Sequence, residues 1–135
     1  MDDYYDLGPY SRSITTQNAE ADTWFSRGLN WCYAFHHEEA ERCFQKVVEL
    51  DPECPMGYWG LAYDVGPYYN IPWAKMSPSG RPVAIQRCYE NSQRALELAR
   101  QGNCSDVELA LCEALTSRFQ APKVDDDDIL STWDD

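Results

Sequence analysis

His36 and His37 are the only histidines in the chain, and three carboxylates, Glu38, Glu39 and Glu41, follow closely. An imidazole beside carboxylates can hold a metal ion or pass a proton. His37 and Glu41 stand four residues apart, so on a helix they share one face. Either chemistry needs a third group, and no residue supplies one at a diagnostic spacing. The simpler alternative has one histidine capping or packing a turn and the other in solvent. The sequence therefore assigns no metal ligand, no catalytic residue and no cofactor. An enzyme, or an accessory to one, with a small-molecule or metal pocket near His37 and Glu41 is kept as an alternative, with residues 66–80 as the loop that would close it.

Six cysteines, Cys32, Cys43, Cys54, Cys88, Cys104 and Cys112, are the other reactive candidates. None forms a C-x-x-C pair, so zinc-ribbon or thioredoxin chemistry lacks its spacing. A redox switch needs exposed thiols beside positive charge. Most of these cysteines fall in helical patterns, where a small buried thiol is common. Cys104, in a loop, is the most exposed candidate. The opening MDDYYDLGPY is acidic and lacks the apolar core of a secretory signal. Reduced thiols in an intracellular, cytoplasmic setting are expected.

Composition narrows the function class further. A chain of 135 residues fits one domain with a modest core, and 44% hydrophobic content argues against disorder. The formal net charge of −12 disfavours nucleic acid and anionic membrane surfaces as partners. No apolar run reaches the length that spans a bilayer. G-x-G-x-x-G, phosphate-loop, G-x-S-x-G and H-E-x-x-H patterns are all absent.

The elements that would position these residues are helices. Trp24, Gly28, Trp31 and Phe35 recur on one helical face, predicting a helix over 17–35. Ala40, Phe44, Val47 and Val48 predict a second over 38–50, ended by Asp51-Pro52. Gly28 and Ala40 are the small residues of the two faces and are expected to meet where the helices cross. A third helix is predicted over 55–65, with proline at its first position. The aromatic, Gly- and Pro-containing stretch 66–81 is too long for a tight turn and reads as a loop folded partly onto the helices. A fourth helix is expected over 82–101, and the capping box Ser105/Glu108 opens a fifth, which Pro122 closes. The domain plan is an N-terminal arm at 1–16, a helical body at 17–120 and an acidic tail at 121–135. The tail reads as a solvated linker that ends where another helix would begin. Five helices leave an open C-terminal end. That end predicts a fragment of a longer stack, or self-association through it into a homo-oligomer.

The order Trp24, Gly28, Trp31, Ala40, Phe44, Pro52 resembles the tetratricopeptide repeat, a helix-turn-helix unit of about 34 residues. Arg27 departs from the pattern, since leucine is usual before the glycine. The longer run YAFHHEEAERCFQKVVELDPECPMGYWGLAYDVGPYYN is similar to long all-helical proteins of this repeat type whose function is largely unknown. The resemblance implies an all-α, right-handed helical stack and protein–protein contact. In such stacks the first helix of each unit lines a concave face. Phe25, Leu29, Tyr33, Trp59 and Tyr63 would line it here and hold a peptide or helix of a protein partner. The lysine and asparagine pattern by which chaperone-binding repeats grip a C-terminal carboxylate is missing. The expected function is therefore a non-catalytic scaffold with an aromatic groove.

Overall fold

Asn18 starts the first helix: its side-chain oxygen accepts from the backbone N–H groups of Glu20 and Ala21, which have no partner within the helix. The computed structural model describes residues 3–134. Residues 1 and 2 of the expected arm, and residue 135 of the expected tail, lie outside the described residues. The helices are α1 (Ala19–Tyr33), α2 (His37–Leu50), α3 (Pro55–Val65), α4 (Gly80–Arg100), α5 (Asp106–Thr116) and α6 (Asp127–Thr132). A 3-10 turn, Trp73–Lys75, lies between α3 and α4. Consecutive helices from α1 to α5 pack on one another, and α3 also touches α1 and α5. Among the described residues no strand forms; a single bridge joins Tyr68 and Ile71. The all-α stack is the expected one, with a sixth helix added.

A single side chain of α2 wedges between α1 and α3. The space over Gly28 is filled by the ring of Phe44, which would lie 2.6 Å from a Cβ placed there. Gly60 of α3 opens the other side for the same ring. Two glycines on two helices thus make one slot, and α2 fills it with an aromatic wedge. The buried face of α1 is Ala21, Phe25, Gly28, Leu29 and Cys32. It is turned from the expected Trp24–Trp31–Phe35 line, because other residues cover those tryptophans. Tyr4 packs edge-on to Trp24 and Tyr5 edge-on to Trp31.

The arm is bound along the body rather than free. Trp31 Nε1 donates to the Tyr4 hydroxyl at 2.6 Å, and that hydroxyl donates to Glu39 at 2.9 Å. The Arg27 guanidinium lies over the rings of Tyr4 and Trp24, at 4.2 and 4.5 Å from their centroids. That packing accounts for arginine where leucine is usual: the ring system needs a flat cation on its face.

Farther along the arm, Glu108 ties Thr15 to α5. Its carboxylate closes the capping box with Ser105 and also accepts from the Thr15 N–H and hydroxyl, at 3.0 and 2.5 Å. Burial opposes its charge, but these donors outweigh burial and hold its carboxyl below the ordinary 4.5. A lowered folded value means the charged form is what stabilises. Its contribution is full above about pH 4.5 and fades as pH falls through the folded value. Glu108→Gln is expected to lose about 1–2 kcal/mol at neutral pH, since one of the amide's two acceptor sites becomes a donor facing donors. Urea midpoints of the two proteins should converge below pH 4.5, and a gap independent of pH would refute this role.

A second core forms under the loop. Trp73, Ile85, Cys88, Leu115, Phe119, Leu130 and Trp133 pack together around Ala62. The tail is therefore not a solvated linker throughout, since α6 forms within it. Asp126 accepts from the N–H of Asp128, and burial of Leu130 and Trp133 beside Trp73 holds the helix in place.

Candidate functional site

Helix α1 does not end on glycine. The N–H of Phe35 donates to Cys32 and that of His36 to Trp31, the hydrogen-bond pair of a left-handed helix stop. Phe35 occupies the left-handed position, at φ 62°, where glycine is the usual residue. This turn sets two side chains at different depths of one cleft. Phe35 projects outward, 60% exposed. His37, the first residue of α2, turns inward, where its Nδ1 lies 2.7 Å from Oδ1 of Asp64. His36 caps α2 by accepting from the Glu39 N–H, so the capping role expected of one histidine is filled.

The partner of His37 is thus Asp64, near the end of α3, and not Glu41. The structure corrects the expected pairing because Glu41 faces α4 and pairs with Arg87. Asp64 is 3% exposed. Burial pushes its carboxyl up from the ordinary 3.8 to about 6, against the opposing pull of His37. Cys32 completes the cluster: its thiol, Asp64 and His37 place one ligand atom each within 4.8 Å of one another. Burial, then the neighbouring Asp64, push the Cys32 thiol up to about 12. A cysteine nucleophile calls for the reverse shift. His37 stacks on Tyr68 at 4.0 Å, and its Nε2 is buried with no hydrogen-bond partner.

Above this trio opens a cleft of about 350 Å³, lined by Cys32, Tyr33, Phe35, His37, Tyr63, Pro67, Tyr68, Tyr69 and Arg118. Arg118 holds the loop wall in place by donating to the Pro67 carbonyl at 3.0 Å. Of the five residues expected in a groove, two are present in this lining, Tyr33 and Tyr63. Tyr33 is 60% exposed. Trp59 stacks on Tyr63 at 4.9 Å and donates from Nε1 to the Leu111 carbonyl, which holds it against α5. Phe25 and Leu29 are 1% and 2% exposed and belong to the core, because the buried face of α1 runs through them. Sequence reasoning missed Phe35 and Tyr69, the latter 95% exposed. A phenylalanine where a helix stop calls for glycine is a signal that could have found the first.

The remaining cysteines are core thiols. Cys43, Cys54, Cys88 and Cys112 are buried, and Cys104 is half-buried with its thiol raised by burial, then by Glu108 and Asp106. No helix among the described residues is long and apolar enough to cross a membrane.

Stacked helical hairpins with an aromatic cleft between their ends define a helical-repeat protein. Residues 21–54, spanning α1, α2 and the turn after them, match the family profile described as tetratricopeptide repeat. Repeats of this family mediate protein–protein contact. No curated protein and no solved structure matches the chain.

Proposed function

We propose that the chain is a non-catalytic interaction module that takes a peptide or helix of a protein partner against the aromatic cleft. Tyr33 and Tyr63 from the expected set carry the contact, with Trp59 backing Tyr63 and with Phe35, Tyr68 and Tyr69 added. One observation carries this reading. Phe35 holds a left-handed backbone that costs a bulky residue about 1–2 kcal/mol, yet its ring stays 60% exposed, touching only the edges of His37 and Tyr68. A ring kept in solvent at such a cost is explained by a contact it makes elsewhere. Aromatic anchors on a preformed surface are also what helix or peptide capture uses.

Phe35→Gly separates stability from function. It removes the backbone strain and the ring together. Thermal stability is expected to hold or rise by about 1 kcal/mol, while partner recovery in a pull-down falls several-fold. Tyr33→Ala with Tyr69→Ala should weaken recovery similarly, since both rings are exposed. Unchanged recovery by both proteins, each still folded by circular dichroism, would count against the cleft.

A further inference from the structure

The geometry points to a mononuclear site for a zinc-class divalent cation, held by Cys32, His37 and Asp64, with its remaining position open to the aromatic cleft. This inference is independent of the protein-binding proposal.

Three helix ends supply the three donors. Cys32 is in the last turn of α1, His37 is the first residue of α2, and Asp64 is in the last turn of α3. Their ligand atoms lie within 4.8 Å of one another. Tetrahedral zinc, with bonds of about 2.0–2.3 Å, sets its ligand atoms roughly 3.3–3.8 Å apart. The trio reaches that geometry by side-chain rotation: the His37–Asp64 pair at 2.7 Å opens slightly and the thiol closes in. Thiolate, imidazole and carboxylate together select zinc or cobalt over magnesium or calcium, which take oxygen ligands.

Two further observations separate this trio from a chance cluster. Asp64 is a buried carboxylate whose only neighbours of opposite character are His37 and the Cys32 thiol, a setting that a bound cation would stabilise further. Cys32 and His37 also line the cleft while Asp64 lies behind them, so an ion has a path in and the open position faces Tyr33, Tyr63 and Arg118. Loading balances simply. The cation binds the thiolate, the ring nitrogen and the carboxylate; the thiol proton passes to solvent, and the proton shared between Nδ1 of His37 and Asp64 passes to solvent or to Nε2.

The test uses the full chain, reduced and freed of metal with a chelator, and titrated with Co²⁺ and then Zn²⁺. One equivalent of Co²⁺ is expected to give a thiolate-to-cobalt charge-transfer band with tetrahedral d–d bands, and Zn²⁺ should erase both. Cys32→Ser should abolish the charge-transfer band. His37→Ala and Asp64→Asn should each weaken Zn²⁺ binding at least as much as the roughly 10–100-fold caused by loss of an outer-shell partner. Cys112→Ser, a buried thiol elsewhere, should keep the band. Absence of a one-equivalent band in the unaltered chain overturns the site without reference to any variant. So does a band that survives Cys32→Ser.

Discussion

Gly60→Ala is expected to lower stability by about 1–3 kcal/mol, read as a drop in urea midpoint and a fall of roughly 5–15 °C in Tm. Alanine is the better helix former by about 1 kcal/mol, so propensity alone predicts the opposite sign. Steric overlap decides the outcome. A Cβ at Gly60 would overlap the Phe44 ring, and the ring has no room to retreat because Gly28 borders its other side. Gly28→Ala presses the same ring from α1 and should behave alike. Gly57→Ala serves as the contrast: its new methyl would meet the side chains of Val47 and Val48 at 3.0–3.1 Å, tight but yielding. The sharper check is a double-mutant cycle. Phe44→Leu alone should be destabilising, yet in the Gly60→Ala background it should recover part of the loss, because the smaller side chain vacates the slot. Strictly additive effects would show that the glycines and the ring do not act as one unit.

Trp73→Ala should cost about 3–5 kcal/mol, whereas Trp73→Phe should change stability by less than about 1 kcal/mol. Trp73 is 2% exposed and meets Phe119 and Trp133 edge-on. Truncation to alanine would leave a cavity where the loop, α5 and α6 converge. The indole also carries a cost of its own, for its Nε1 is buried with no hydrogen-bond partner. Phenylalanine gives up some volume but removes that unsatisfied donor, and the two changes offset. Hydrogen exchange should show α6 opening first in Trp73→Ala, since six residues of helix cannot persist without the core beneath them. A Trp73→Ala protein with an unchanged urea midpoint would mean that the loop and α6 do not depend on this ring.

The helices were legible in the sequence wherever a local pattern sufficed. Proline at the start of α3 and the Ser105/Glu108 capping box act within one turn, and α3 matches its expected bounds, Pro55–Val65. The tetratricopeptide-repeat character was legible for the same reason, since its signature lies within one helical hairpin. Helix α6 was not, because what stabilises it is burial of Leu130 and Trp133 against a loop tryptophan far away in the chain. The faces of α1 were misassigned by a small rotation. Periodicity names two adjacent aromatic lines, and only packing chooses between them. Here the arm's tyrosines cover Trp24 and Trp31, so Phe25 and Leu29 turn inward and leave Tyr33 and Tyr63 for the cleft.

The same division governs the chemistry. By itself the sequence determined that His37 stands at a turn, that Cys32 sits at the end of a helix, and that no third ligand follows at a short spacing. Tertiary structure alone decided that Asp64, 27 residues from His37, completes the group, and that Glu41 is taken by Arg87. The physical reason is that helix periodicity fixes which residues share a face, while the depth and angle at which helices cross fix which faces meet. In this protein a phenylalanine lodged between two glycines sets that depth, and so brings the three helix ends together.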